Sequence, residues 1–257
     1  MKTIIPLLCL VILPVTLKSQ DQAGKSITSG KITFQEKVKL EIKLEGDAAQ
    51  FADQLPKEQI NTRILYFDQE NSLYLAEAAK NDDEEEMTQQ GGGMRIKMVN
   101  GGASDKIYCD FKDKKKIEQK EFMTRIFLVE GDLAATRWKF TGNSLSILGY
   151  NCQEVISEDT TRKVKAWFTA AIPIPAGPAG FGNLPGMILQ LDIANGKRLI
   201  TASAIDPSFN NQGEIVKPKE GKKVTSDEFK KIVDDKMKEM GVENGEGTNH
   251  VIIRFNN

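Results

Sequence analysis

The chain is poor in the residues that build most metal and nucleophilic sites. Its 257 residues include one histidine and three cysteines. With His250 as the single imidazole, neither a three-histidine nor a histidine–cysteine zinc site can be assembled. Ser-His-Asp or Cys-His machinery would have to be built around His250 alone, and we interpret that residue as a surface histidine beside the last strand. The sequence therefore predicts no metal site and no cofactor.

An excess of positive charge is missing as well. Lysine and arginine together number 35 against 36 acidic residues, and the formal net charge is -1. A chain with nearly equal numbers of basic and acidic residues lacks the positive electrostatic potential that binds nucleic acid, so we expect no nucleic-acid partner. Acidic residues are numerous enough that a carboxylate-based hydrolase stays open. The composition favours a protein that is not an enzyme and leaves that one class as an alternative.

Long apolar runs are absent except at the start of the chain. Lys2, the apolar residues 4–17 and Lys18-Ser19 have the order of a secretory signal peptide, which we place at residues 1–19. An apolar run of roughly fourteen residues is short for a membrane span. We expect export to the periplasm or the extracellular space, no transmembrane anchor after cleavage, and a single domain at residues 20–257.

Two cysteines, Cys109 and Cys152, remain after such cleavage. Thiols can pair in an oxidising compartment. Both residues also flank strand-like segments, where a small buried thiol serves equally well. The sequence leaves a Cys109–Cys152 disulfide and two core thiols as alternatives.

Alternation of apolar and polar residues is the main periodicity of the chain. This alternation predicts half-buried strands. Strands with one buried and one solvent-exposed face are typical of antiparallel sheets. The predicted fold is mainly β, with a large curved antiparallel sheet or incomplete barrel of about 10–12 strands and one or two helices packed on it. The predicted strands are residues 32–44, 63–67, 72–76, 94–99, 106–111, 116–129, 137–141, 152–157, 164–169, 187–193, 198–205 and 251–255.

Two segments have helical spacing instead. Residues 47–55 form the shorter one and residues 225–240 the longer one, whose apolar face contains Phe229. Ser226 is predicted to cap the longer helix, and Gly241 follows it as a C-terminal stop.

Between residues 167 and 191, prolines and glycines punctuate the chain densely. Proline locks φ and glycine permits conformations closed to other residues, so the spacing predicts a rigid connection between two strands. This connection contains no acid, base or nucleophile. Its defining residues are Ile172, Pro173, Gly177, Pro178, Leu184, Pro185, Gly186 and Ile188.

The order W-F-T, I-P, G-P, F and then N-L-P-G-M-I resembles the GLPGLI family of secreted Bacteroidetes proteins, over most of the chain after residue 19. Asn183 stands where the family has its first glycine, and Met187 where it has its second leucine. Asparagine tolerates the left-handed region, and methionine conserves the volume of leucine. The resemblance implies a secreted β domain and no established activity.

Aromatic residues near this connection are the candidates for ligand contact. Trp138, Trp167 and Phe181 could line the floor of a ligand pocket, because aromatic rings supply large contact areas. The two tryptophans lie on predicted strands, and the more ordinary interpretation is that they fill the core beside this connection. The leading hypothesis is an exported, non-enzymatic binding module of the cell envelope that takes an apolar small molecule. An envelope protein as partner, in a protein-interaction or scaffold role, is the alternative.

Overall fold

The structure is a computed structural model that describes residues 26–40, 56–77, 105–133 and 136–239, and the backbone alone of residues 94–95 and 254–255. The predicted signal peptide, the helix predicted at residues 47–55, Gly241 and His250 lie outside the described residues.

The strands among the described residues are β1 (Gly30–Lys39), β2 (Glu58–Phe67), β3 (Asn71–Ala76), β4 (Met94–Arg95), β5 (Lys106–Asp110), β6 (Lys115–Phe122), β7 (Arg125–Asp132), β8 (Trp138–Ile147), β9 (Tyr150–Ser157), β10 (Val164–Thr169), β11 (Met187–Ile193), β12 (Arg198–Asp206), β13 (Lys222–Val224) and β14 (Arg254–Phe255). Twelve of them form one open sheet with the order β13-β7-β6-β5-β3-β2-β1-β12-β11-β10-β9-β8, and β4 pairs with β14 separately. The sheet is mixed, since β13 runs parallel to β7 at one edge. The mainly β fold is thereby confirmed.

The central strand β1 shows how the alternation sets the two faces. Ile32, Phe34 and Val38 are buried, whereas Lys37 and Lys39 between and after them are exposed. β2 and β12 flank β1 on either side in antiparallel register. The buried face of β1 therefore lies in the middle of the sheet and carries the main core.

One predicted strand is in fact a hairpin. Residues 116–129 were expected to be continuous, but β6 and β7 are joined by a tight turn at Met123 and Thr124, whose φ angles are 49° and 66°. Positive φ at both central residues is the geometry of a type I′ turn, which normally carries asparagine or glycine. The prediction was wrong because neither residue is a usual turn signal.

The connection from β10 to β11, residues 170–186, folds back over the sheet. Ile172, Ile174, Ala176 and Leu184 are buried in the main core cluster with residues of β1, β2 and β12. The short 3₁₀ turn Pro178–Gly180 lies against β3 and β5 as well as β11. β12, β1 and β2 separate β11 from β3 in the sheet. The sheet must therefore curve around this connection, as the sequence predicted.

A second, smaller core lies under the helix α1 (Ser226–Glu239), where Phe127, Val129 and Val224 are buried against Phe229 and Ile232. The helix was predicted at residues 225–240 with Ser226 as its cap. The observed cap is Thr225, whose Oγ1 accepts from the Glu228 amide at 3.2 Å, while the Glu228 carboxylate accepts from the Thr225 amide at 2.7 Å. This reciprocal arrangement is a capping box. In the part of the chain that the structure describes, no helix has the length and apolar character to cross a membrane.

Phe229→Ala is expected to lower the free energy of unfolding by about 2 kcal/mol, less than for a fully buried phenylalanine, because the ring is half-buried. Its ring meets those of Phe127 and Phe122 at centroid distances of 5.4 and 6.4 Å. Urea denaturation would measure the change, with the exposed Lys230→Ala as the control expected to change little. A loss below about 0.5 kcal/mol for Phe229→Ala would contradict docking of α1 on the sheet.

Candidate functional site

The connection at residues 170–186 is held by close backbone approaches at its glycines. A Cβ placed on Gly186 would overlap the carbonyl oxygen and carbon of Thr169, and one on Gly182 would overlap the carbonyl oxygen of Pro175. Gly186 was expected to take a conformation closed to side chains, but its φ is not in the left-handed region. The expected conformation was wrong. Glycine is required at position 186 because its backbone lies directly against the backbone of Thr169.

Asn183 does adopt the left-handed conformation, with φ of 62°. The GLPGLI motif that the sequence resembles has a glycine at this position, and this predicted the left-handed conformation. The Asn183 side chain also donates to the carbonyl of Thr136 at 3.5 Å. The substitution thus keeps the backbone geometry and adds a contact to the chain just before β8.

Trp138 and Phe181, two of the three aromatic candidates, lie together at the edge of the core. Their ring centroids are 6.4 Å apart, and the Trp138 indole nitrogen donates to the carbonyl of Gly182 at 3.0 Å. The Arg162 guanidinium lies 5.4 Å from the centroid of the Phe181 ring. These contacts fasten residues 181–183 to β8, which favours a structural role for both aromatic residues.

Trp167 is not part of this pair. It is half-buried on β10 between the buried Ala166 and Phe168, and it packs at the margin of the main core. The ammonium group of Lys165 lies 5.5 Å from its ring centroid. The structure therefore does not gather the three aromatic candidates into one pocket.

A buried ion cluster lies on the core face of β1, where sequence reasoning placed no polar group. Glu36 is 3% exposed and accepts from Arg63 at 3.0 Å and from Arg198 at 2.5 Å. Tyr74 contributes a hydroxyl that has no hydrogen-bond partner among the described residues. Burial, and secondly the Glu36 carboxylate, raise the pKa of Tyr74 well above its ordinary value. The sequence did indicate that Glu36 is buried, because alternate residues of a strand share a face and Glu36 alternates with the buried Phe34 and Val38.

Three other carboxylates that are at least half-buried also lie near cations or backbone amides, namely Asp105, Glu118 and Glu154. Burial works to raise the pKa of Glu118, but the ammonium groups of Lys120 and Lys116 outweigh it and hold that pKa below the ordinary value. Glu154 lies 3.9 Å from the Lys165 ammonium. Burial raises the pKa of Asp105, which accepts a hydrogen bond from the Glu121 amide. The Glu118 carboxylate also acts to raise the pKa of Asp105, so these two carboxylates lie near each other, with the Lys120 ammonium group acting on both.

The two thiols are not joined. Cys109 on β5 and Cys152 on β9 are both buried and free. Six strands of the sheet separate β5 from β9. Burial raises the pKa of each thiol to about 11, so neither is a nucleophile at neutral pH. Of the two alternatives that the sequence left open, the structure has the pair of core thiols. Among the described residues, no group of three or more metal-ligating side chains occurs.

The strand β8 is the feature of the sheet that is most open to a partner. Among the strands that the structure describes, β8 pairs only with β9, and the eight residues 139–146 are all exposed. Three large exposed apolar side chains lie on β8 or directly after it, namely Phe140, Leu145 and Leu148. An edge of this kind offers unpaired backbone groups that can pair with another strand. Sequence reasoning missed it because strand order cannot be read from periodicity.

Comparison with known proteins shows a match to one family in sequence and to two solved structures in fold. Residues 74–190, somewhat less than half of the chain, match the model of a family described as a protein of unknown function (Porph_ging). The matched segment runs from β3 to β11 and includes the connection at residues 170–186. No curated protein matches the chain.

Two solved structures share the fold at low identity. They are crystal forms of PNGF-II in space groups P21 and C2, each with a TM-score of 0.50 and with 15% and 16% sequence identity. The match covers 80% of this chain but 33% and 32% of those chains, so this chain spans about a third of their length. At such identity the likeness concerns the fold alone.

Proposed function

We propose that the chain is an exported, non-enzymatic binding module of the GLPGLI type, and that its partner is a protein that adds an extended segment to the edge of β8. The observation that carries the proposal is the ten-residue edge strand with three exposed apolar side chains on it or directly after it. Main-chain pairing gives such an interaction its affinity, and alternate side chains give it specificity.

A protein partner fits this chain better than an apolar small molecule. Ile172, Ile174, Ala176 and Leu184 occupy the core face of the curved sheet, where a carrier would hold its ligand. Each is at most 5% exposed. Burying such aliphatic side chains contributes about 1.5 to 3 kcal/mol apiece for the larger ones, so displacing them by a ligand would be costly. The connection therefore occupies the space on the core face of the sheet where a ligand would otherwise bind.

The apolar residues of β8 suit an extended segment. Phe140 is 55% exposed although its ring meets that of Phe168 at a centroid distance of 6.0 Å. Leu145 is 40% exposed further along the strand. An added strand would cover both side chains while pairing with the free backbone groups near the two ends of β8. The register shift between Phe140 and Ser144 would limit the pairing to the two ends of β8.

Site-specific photo-crosslinking in cells of the source organism tests this proposal. A benzophenone amino acid at Asn143 on β8 should give an adduct of one defined mass with a second protein. Leu145→Lys should abolish the adduct, and Ile60→Lys, which places the same charge on another exposed apolar residue, should leave it unchanged. The probe placed instead at Ala204, exposed on the inner strand β12, is the position control.

Three results would contradict the proposal. The first is the absence of a defined adduct at Asn143, and the second is the same adduct from Ala204. The third is an adduct of twice the mass of this chain, which would identify a second copy as the occupant of the edge.

A further inference from the structure

A basic pocket lies at the opposite end of the sheet from β8. It has a volume of about 600 Å³ and is formed by the start of β6, the end of β7 and the segment that leads into β13. Five lysines line it, in a chain whose net charge is -1. The lysines are Lys115, Lys116, Lys217, Lys219 and Lys223.

Carboxylates neutralise only part of this charge. Glu130 pairs with Lys223 at 2.9 Å, Asp132 with Lys115 at 2.6 Å, and Glu118 with Lys116 at 2.5 Å. Five ammonium groups against these three carboxylates leave two positive charges in excess. Lys217 and Lys219, on the segment before β13, have no ion partner among the described residues.

The apolar side chains beside the pocket are buried. Ile117 and Leu128 are 5% and 1% exposed on adjacent strands, and Pro218 is buried between Lys217 and Lys219. The apolar surface open to a ligand therefore belongs mainly to the aliphatic stems of the lysines, whose ammonium groups form the rim. The volume of the pocket is within the usual range of about 300 to 1,000 Å³ for small-molecule sites. An ammonium group binds phosphate as a point charge, without the geometric demands of a guanidinium.

We infer that this pocket binds a soluble small molecule that carries a phosphate monoester on an apolar or ring-shaped body. The excess of two positive charges matches a phosphate monoester, which carries about -1.5 to -2 charge at neutral pH. The body of the ligand lies against the aliphatic stems of the lining lysines, while the ammonium groups of Lys217 and Lys219 contact the phosphate. The site is independent of β8, so it can be tested whether or not a protein partner exists.

Phenyl phosphate is a suitable probe, because its ring can lie against the aliphatic stems of the lysines and its phosphate can contact their ammonium groups. Isothermal titration at low salt should show saturable binding to the wild type. Methyl phenyl phosphate, which has one charge fewer, should bind about tenfold more weakly, and phenol should not bind. Raising the salt concentration to about 1 M should weaken the binding of phenyl phosphate strongly, because the rim is exposed to solvent.

The Lys217→Gln/Lys219→Gln variant should bind phenyl phosphate at least about tenfold more weakly while melting at the wild-type temperature, because both side chains are exposed. The Lys106→Gln/Lys139→Gln variant loses the same net charge from exposed sites elsewhere and should bind as the wild type does.

Equal losses in the two double variants would overturn the inference, because they would mean that only the overall charge matters. The absence of saturable binding to the wild type would overturn it too. So would equal affinity for the monoanionic ester, or binding to phosphatidic acid vesicles without binding to phenyl phosphate.

Discussion

Gly186→Val is expected to destabilise the protein by about 3 kcal/mol or more, at the upper end of what overpacking costs. Any Cβ at this position overlaps the carbonyl group of Thr169 and comes within 3.0 Å of the Cα of Ala170. Those atoms belong to the backbone at the end of β10, which cannot rotate away as a side chain would. Either the connection or the pairing of β10 with β11 must therefore shift. Urea denaturation followed by circular dichroism measures the loss.

Gly131→Val provides the matched control for this substitution. Gly131 lies on β7, and a Cβ there meets no atom within 4 Å. Since valine suits a strand, we expect a change within about 0.5 kcal/mol. Equal stability of Gly186→Val and the wild type would contradict the close packing of residues 170–186 against the end of β10.

Glu36→Gln should have the second-largest effect, a loss of about 3 kcal/mol. The substitution keeps the shape of the side chain but leaves Arg63 and Arg198 without their shared carboxylate on the core face. Removing one partner of a buried ion pair typically costs about 3 to 5 kcal/mol. We place this case at the lower end, because the Arg198 side chain is 32% exposed and water can take over part of its solvation.

The control is Glu58→Gln on β2. Glu58 pairs with Lys37 at 3.3 Å, and both side chains are more than 40% exposed. A pair of this kind contributes about 0.2 to 1 kcal/mol. If Glu36→Gln were no more destabilising than Glu58→Gln, the ion cluster would have to be solvated rather than buried.

The period-two pattern was enough to predict the sheet. Strand β1 alternates because one face packs in the core and the other faces solvent, and the same alternation predicted the bounds of β10. Strand β11 does not alternate at its start, where Met187, Ile188 and Leu189 are all buried, and its bounds were predicted from this apolar run. The proline and glycine punctuation of residues 170–186 likewise predicted a fixed connection, and Asn183 has the left-handed conformation that its place in the motif implied.

Other features depend on contacts that a sequence does not carry. The turn at Met123 and Thr124 is imposed by the pairing of β6 with β7 rather than by turn residues. The role of Gly186 is set by the neighbouring β10 backbone, and the openness of β8 is set by strand order. Glu36 is different, because its place in the alternation of β1 is that of a buried residue and is visible in the sequence itself.

The proposed binding features lie at opposite ends of the sheet, with the packed core between them. β8 forms one edge, and the lysine-lined pocket lies beside β7 and β13 at the other. A protein partner at β8 is favoured over an apolar ligand because residues 170–186 are a fixed part of that core. If this connection were instead a lid over a cavity, an apolar ligand would again be the best candidate for the function.

Amide hydrogen exchange of residues 170–186 in the isolated protein tests this claim most directly. The amide of Ile174 donates to Ile172, that of Ala176 to Ile174, and that of Ile188 to Ala176, with distances of 2.8, 2.8 and 2.9 Å. We expect these amides to exchange as slowly as those of the central strands β1 and β12, with no added ligand. Rapid exchange, slowed only when an apolar compound is supplied, would contradict the account and identify the connection as a movable cover.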